Sequence, residues 1–197
     1  MSAASHRLDP GLRRGTWNQD RRFIDMRKLA PVLFTAALSA CAGVDQPVGG
    51  PPMPLVNSAG QVIGSVRAWE TAGGISFRIS ASGLPHGLHG IHVHSVGRCD
   101  PPDFVSAGPH WNPLGRKHGL NNPAGPHAGD LPNVEVAANG VLNATVTVPG
   151  ASMANLLDAD GAALVLHGQA DDNMTDPRGN SGPRIACAVI RPVAELR

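Results

Sequence analysis

The sequence predicts an all-β fold, a Greek-key β-barrel or sandwich of about eight antiparallel strands carrying two long functional loops. Three observations lead there. Gly (24) and Pro (18) fill about a fifth of the 197 residues and would interrupt any long helix. Apolar and polar residues alternate through several short runs, the period of a half-buried strand. Tight-turn dipeptides separate those runs. An apolar content of 42% is enough for a core at this length, which excludes wholesale disorder.

The strands can be taken in order. Residues 61–71 (QVIGSVRAWET) and 75–80 (ISFRIS) alternate cleanly, with Ala72-Gly73-Gly74 as the turn between them. Residues 91–96, 134–138, 141–148, 162–167 and 184–190 continue the series, with Asn139-Gly140 and Asp160-Gly161 as further turns. Two stretches break the rhythm, 97–133 and 168–183, and irregular loops of such length usually carry function.

The N-terminal segment has a different character. Residues 1–53 hold a net charge of +3 and residues 54–197 a net charge of −2, so the folded part lacks the basic surface of a nucleic-acid binder. From Met26, Arg27 and Lys28 precede a short apolar run that ends in Leu38-Ser39-Ala40-Cys41. That reads as a secretory signal over 26–40, with a bacterial lipobox whose Cys41 becomes the lipid-modified first residue. The expectation is an exported protein tethered to a membrane by lipid on Cys41. Residues 1–25 read as a start placed too early or a disordered extension, and the Gly/Pro-rich 41–55 as a linker to a domain over 56–197.

With Cys41 assigned to lipid, Cys99 and Cys187 remain. In an oxidising compartment they are candidates for a disulfide, and two separate buried thiols are the alternative.

Eight of the nine histidines lie in the domain. His92 and His94 alternate on one face of a strand, a weak signal alone. His110, His118, His127 and Asp130 follow within the first long loop, and His167 closes a strand at the start of the second. Three imidazoles and a carboxylate make a closed tetrahedral set of the kind zinc prefers, and strand-borne imidazoles suit copper.

The motifs GLHGIHVHSVGRC (87–99), SAGPHWNP (106–113), RKHG (116–119), HAGDLPN (127–133), LHGQADD (166–172) and GNSGPRIACAVI (179–190) together resemble the bacterial Cu/Zn superoxide dismutases. The resemblance covers about 56–191. It implies His92, His94, His110 and His167 as copper ligands, and His110, His118, His127 and Asp130 as zinc ligands, with His110 bridging the two ions. It further implies a Cys99–Cys187 disulfide, Arg184 as the guide for the superoxide anion, and Asp171 as a carboxylate linking a copper histidine to a zinc histidine. Arg184 and His110 are the catalytic residues implied. His89 matches a barrel-supporting histidine that binds no metal, and Gly108 and Gly182 match positions beside the channel.

The implied reaction is a two-step redox cycle at copper, in which His110 leaves the metal and carries a proton. Departures from the family pattern touch no ligand. Ala188 stands for a glycine, Trp111 for a smaller aromatic, and Pro183 precedes Arg184. The second loop carries Asp171, Asp172 and Asp176 against Arg178 alone, which implies either weaker anion steering or steering that rests mainly on Arg184 and the metals. A copper-binding or copper-storage module is the rival reading, but it has no need of Arg184 or of a complete zinc set. Superoxide is the expected substrate, copper and zinc the expected cofactors, and the chain a monomer or homodimer.

Overall fold

Three turns of one design organise the strands. At residues 57–60, 137–140 and 158–161 the N–H of a glycine with positive φ donates back to the carbonyl three residues earlier. Each turn closes on a residue in the left-handed region, a conformation glycine adopts without steric cost. The hairpin foreseen at 72–74 is tighter, with Thr71 paired to Gly74 across Ala72-Gly73.

The computed structural model describes residues 51–191. Its strands are β1 (Met53–Asn57), β2 (Val62–Thr71), β3 (Gly74–Ala81), β4 (Gly87–His89), β5 (Ile91–His94), β6 (Val134–Val136), β7 (Leu142–Pro149), β8 (Ala162–His167) and β9 (Arg184–Ile190). One antiparallel sheet runs β5-β8-β9-β1-β2-β3-β7, and β4 pairs with β6. Only Gly90 separates β4 from β5, so the two short strands link the ends of a curled sheet. The chain crosses between opposite sides of that sheet three times, from β3 to β4–β5, from β5 to β6–β7 and from β7 to β8, which is Greek-key connectivity.

All seven expected strands are present, and two were not foreseen. Met53–Leu55 belong to β1 rather than to a linker, with Met53 and Leu55 buried. Pro54 is tolerated because it pairs with Ser65 of β2, while pairing to β9 begins only at Val56. The signal segment, the linker up to residue 50 and Cys41 lie outside the described residues.

Alternation along β5, β8 and β9 places the site. Ile91, Val93, Leu164, Leu166, Ala186 and Ala188 point into the barrel core with Phe77, Ile75 and Leu142. The opposite face of the same strands carries Ala163, Val165 and Cys187, packed against Phe104 and Ala107 of the first long loop. That loop buries the outer face, so all of β5 and β8 are buried and His92 and His94 lie between sheet and loop. Cys99 and Cys187 form a disulfide, tying the loop to β9 across a separation of 88 residues.

Candidate metal centre

His92 and His94 sit opposite Val165 and Ala163 in the β5–β8 ladder, so the pleat fixes their spacing. The first loop then lies along the free edge of β5. Val93 N donates to Gly129 O and Trp111 N to Val93 O, which brings His110 beside His94 and Asp130 beside His92. The rings of His92 and His110 stack at 4.0 Å. His167, at the end of β8, completes the wall, with its ring centroid 4.8 Å from that of His92.

Outer partners fix which nitrogen of each ring faces inward. His94 Nδ1 lies 2.8 Å from Gly108 O, and a carbonyl only accepts, so Nδ1 carries the proton and Nε2 offers its lone pair. His167 Nδ1 is 3.0 Å from Ser181 Oγ and 3.3 Å from Gly182 O, which again leaves Nε2 free. His92 Nε2 is 2.5 Å from Asp171 Oδ2, leaving Nδ1. His110 Nδ1 faces Asp130, leaving Nε2. Those four inward nitrogens, together with His127 Nδ1, are buried without a hydrogen-bond partner among the described residues. Buried polar atoms left unpaired are costly, and a cluster of lone pairs aimed at one space is what a soft or borderline cation satisfies.

A second set lies beside the first. Nδ1 of His110, His118 and His127 approach a single atom, Asp130 Oδ1, at 2.9, 3.0 and 3.3 Å. Four donors arranged tetrahedrally about zinc at its usual bond lengths lie roughly 3.3 Å apart, and the three distances to Asp130 Oδ1 are compatible with that spacing. By mutual distance, His92, His110, His118 and Asp130 also form a close group. His92 Nε2 is taken by Asp171, whereas His127 Nδ1 lies 3.3 Å from Asp130 Oδ1. Asp130 Oδ2 accepts from the backbone N–H of Gly119 and of His127, both at 2.9 Å, and thereby holds the loop around the set.

Asp171 joins the halves, with Oδ2 on His92 and Oδ1 3.1 Å from His118 Nε2. Two residues not foreseen from the sequence brace the centre. Asn133 accepts from Asp171 N and donates to Asp171 O, and Ser181 Oγ braces His167. Gly179 is obligatory here, since a Cβ would come within 1.8 Å of Asp171 Oδ1. His89 stands apart, its ring nitrogens facing the carbonyls of His167 and Pro85.

Electrostatics match ligand chemistry. Burial pushes His92 and His94 below the ordinary imidazole value, His110 to about 4 and His167 to about 3, so these rings are neutral at pH 7. Burial also disfavours charge on His118, but hydrogen bonds to Asp130 and Asp171 outweigh it and push this ring up to about 9. Burial alone would raise Asp130 and Asp171, yet the histidine hydrogen bonds hold both well below the usual carboxylate range. An open cleft reaches this centre, lined by His110, Trp111, Gly108, Arg178 and Arg184. Arg184 is pinned by donating to Phe104 O at 2.5 Å and Gly108 O at 2.8 Å.

A model of the copper/zinc superoxide dismutase family matches residues 62–190. The chain belongs to that family. It is 43% identical over 172 residues to superoxide dismutase [Cu-Zn] 2 of Aquifex aeolicus, covering 84% of this chain and 100% of that protein. It is 40% identical over 139 residues to superoxide dismutase [Cu-Zn] of Caulobacter vibrioides, covering 67% of this chain and 80% of that one. Among solved structures, the superoxide dismutase-like protein of Bacillus subtilis superposes with a TM-score of 0.69 at 44% identity, over 72% of this chain and 99% of that one. Membership in the Cu/Zn superoxide dismutases agrees with the resemblance of the motifs, and the fold and donor chemistry above agree with it independently.

Proposed function

We propose that this protein dismutates superoxide, converting two superoxide anions and two protons into dioxygen and hydrogen peroxide. Nδ1 of His92 with Nε2 of His94, His110 and His167 would hold copper. Nδ1 of His110, His118 and His127 with Asp130 Oδ1 would hold zinc, leaving His110 as the shared ring. When bound, copper supplies the one-electron couple that two successive superoxides meet, and zinc supplies a fixed, redox-inert charge.

The chain's own groups do the rest. Two of the five guanidinium N–H donors of Arg184 are committed to Phe104 O and Gly108 O, so the remainder are positioned for a small anion entering the cleft. Trp111 and Pro109 wall that cleft. His110 Nε2 is the ring atom that would hold a proton for the peroxide product when not bound to copper.

The observation that carries the reading is the set of inward nitrogens, those of His92, His94 and His167 each set by an outer hydrogen-bond partner, opening onto a cleft that contains Arg184. A copper-storage module would have no use for that arginine. The test is metal content and superoxide consumption measured on one sample of residues 42–197 prepared by export. One copper and one zinc per chain with cyanide-sensitive dismutation is expected, and full metal loading without dismutation would refute the assignment.

The sequence over 26–41 supports export and lipid attachment at Cys41, which would place the enzyme in the cell envelope. Intact mass of membrane-extracted protein checks this, since retention of residues 26–40 would contradict it.

A further inference from the structure

Each zinc-side imidazole has a second nitrogen that needs an outer partner. His110 offers its own to the copper side, and His118 Nε2 meets Asp171. His127 Nε2 has a different neighbour, Asp176 Oδ1 at 3.9 Å, from the second long loop. The same carboxylate reaches the first loop at two more points. Oδ1 accepts from His118 N at 2.8 Å, and Oδ2 accepts from Lys117 Nζ at 3.0 Å. One side chain therefore touches the residue before a zinc-side ligand, the backbone of that ligand, and the outer edge of the next ligand.

We infer that Asp176 is a positioning residue for the zinc-side histidines, a latch from the second loop that sets the backbone of His118 and the ring of His127. The inference rests on the zinc assignment proposed above. Its physical reason is the general one that ligating histidines are oriented by an outer carboxylate or carbonyl, whose loss weakens metal binding. At 3.9 Å the Asp176–His127 approach is too long for a hydrogen bond. The direct bond to His118 N is the stronger tether. Asp171 cannot replace it, because Asp171 engages only the ring of His118 and makes no contact with His127.

The test compares wild type, Asp176→Ala, Asp176→Asn and Lys117→Ala as metal-loaded proteins. Zinc is titrated against a chelator, and Co(II) placed at the zinc site reports the ligand field through its visible spectrum. Asp176→Ala is expected to weaken zinc binding by about 10- to 100-fold and to shift the cobalt spectrum, with copper content unchanged. Asp176→Asn, which keeps an oxygen for His118 N, should fall between it and wild type. Lys117→Ala should match wild type, since it removes only an exposed ion pair. Wild-type zinc affinity and an unaltered cobalt spectrum in Asp176→Ala would overturn the inference, as would an equal loss in Lys117→Ala. Failure of the wild-type protein itself to take up zinc would overturn the zinc assignment and the inference with it.

Discussion

The strand-borne and loop-borne halves of the metal centre are held by different means. His92, His94 and His167 sit on a paired ladder with the barrel core behind it, so their separation is fixed by backbone hydrogen bonds before any ion arrives. His118, His127 and Asp130 come from a segment without regular pairing, held by side-chain bonds such as those from Gly119 N and His127 N to Asp130. His110 belongs to both halves, because its loop lies along β5. Protonation follows the same division. The strand-borne rings are buried and neutral, whereas His118 is cationic between two carboxylates. On the proposed assignment, the redox ion would meet a rigid frame of unpaired inward nitrogens, and the structural ion a loop network already joined by hydrogen bonds.

The largest expected effect separates the halves outright. His94→Ala removes one strand-borne nitrogen and leaves the loop network untouched. Dismutation and copper binding should be abolished while zinc uptake, measured by elemental analysis, is retained. Loss of both metals together would show that the halves are not separable.

Asp171→Ala acts on the link instead. With neither His92 nor His118 oriented, zinc affinity should fall by about 10- to 100-fold in chelator competition, and activity should decline with it. Unchanged affinity would reduce Asp171 to a bystander.

Acidification should sharpen the contrast. His118 in the metal-free protein is protonated below about 9, so zinc must displace one proton and its affinity rises with pH, roughly tenfold per unit below that point. On the copper side burial holds His92 and His94 below the ordinary imidazole value, His110 at about 4 and His167 at about 3, so copper affinity should change less than zinc affinity between pH 8 and pH 6. Dialysis across this range with metal analysis should strip zinc first, and copper leaving first would contradict the division.

The smallest effect concerns the cleft that both halves share. Arg184→Ala should slow dismutation by about tenfold at low salt and flatten its decline with ionic strength, with both metals still bound. A rate unchanged at low salt would remove Arg184 from the mechanism.

What could be read from the sequence divides along physical lines. Strands with alternating residues and glycine turns were legible, because burial on one face and a positive φ leave marks in the residue order. β1 was hidden by Pro54 and its Gly/Pro neighbours, and β4 is too short, at three residues, to show a period. The metal-side residues stood out because histidines in long loops have no packing role to explain them. Ring tautomers, the bracing of Asp171 by Asn133 and of His167 by Ser181, and the reach of Asp176 to His118 were not legible. Each depends on residues tens of positions apart meeting through the β5–β8–β9 frame, and polar residues in a loop look alike until the loop is folded.

The claim most central to this account is that one imidazole, His110, belongs to both ions. Loading copper at the strand-borne site and cobalt at the loop-borne site, then recording the Cu(II) electron paramagnetic resonance signal, tests it directly. A shared ring should couple the two ions and suppress the copper signal, which should return when diamagnetic zinc replaces cobalt. A copper signal of full intensity with cobalt stoichiometrically bound would contradict the bridge.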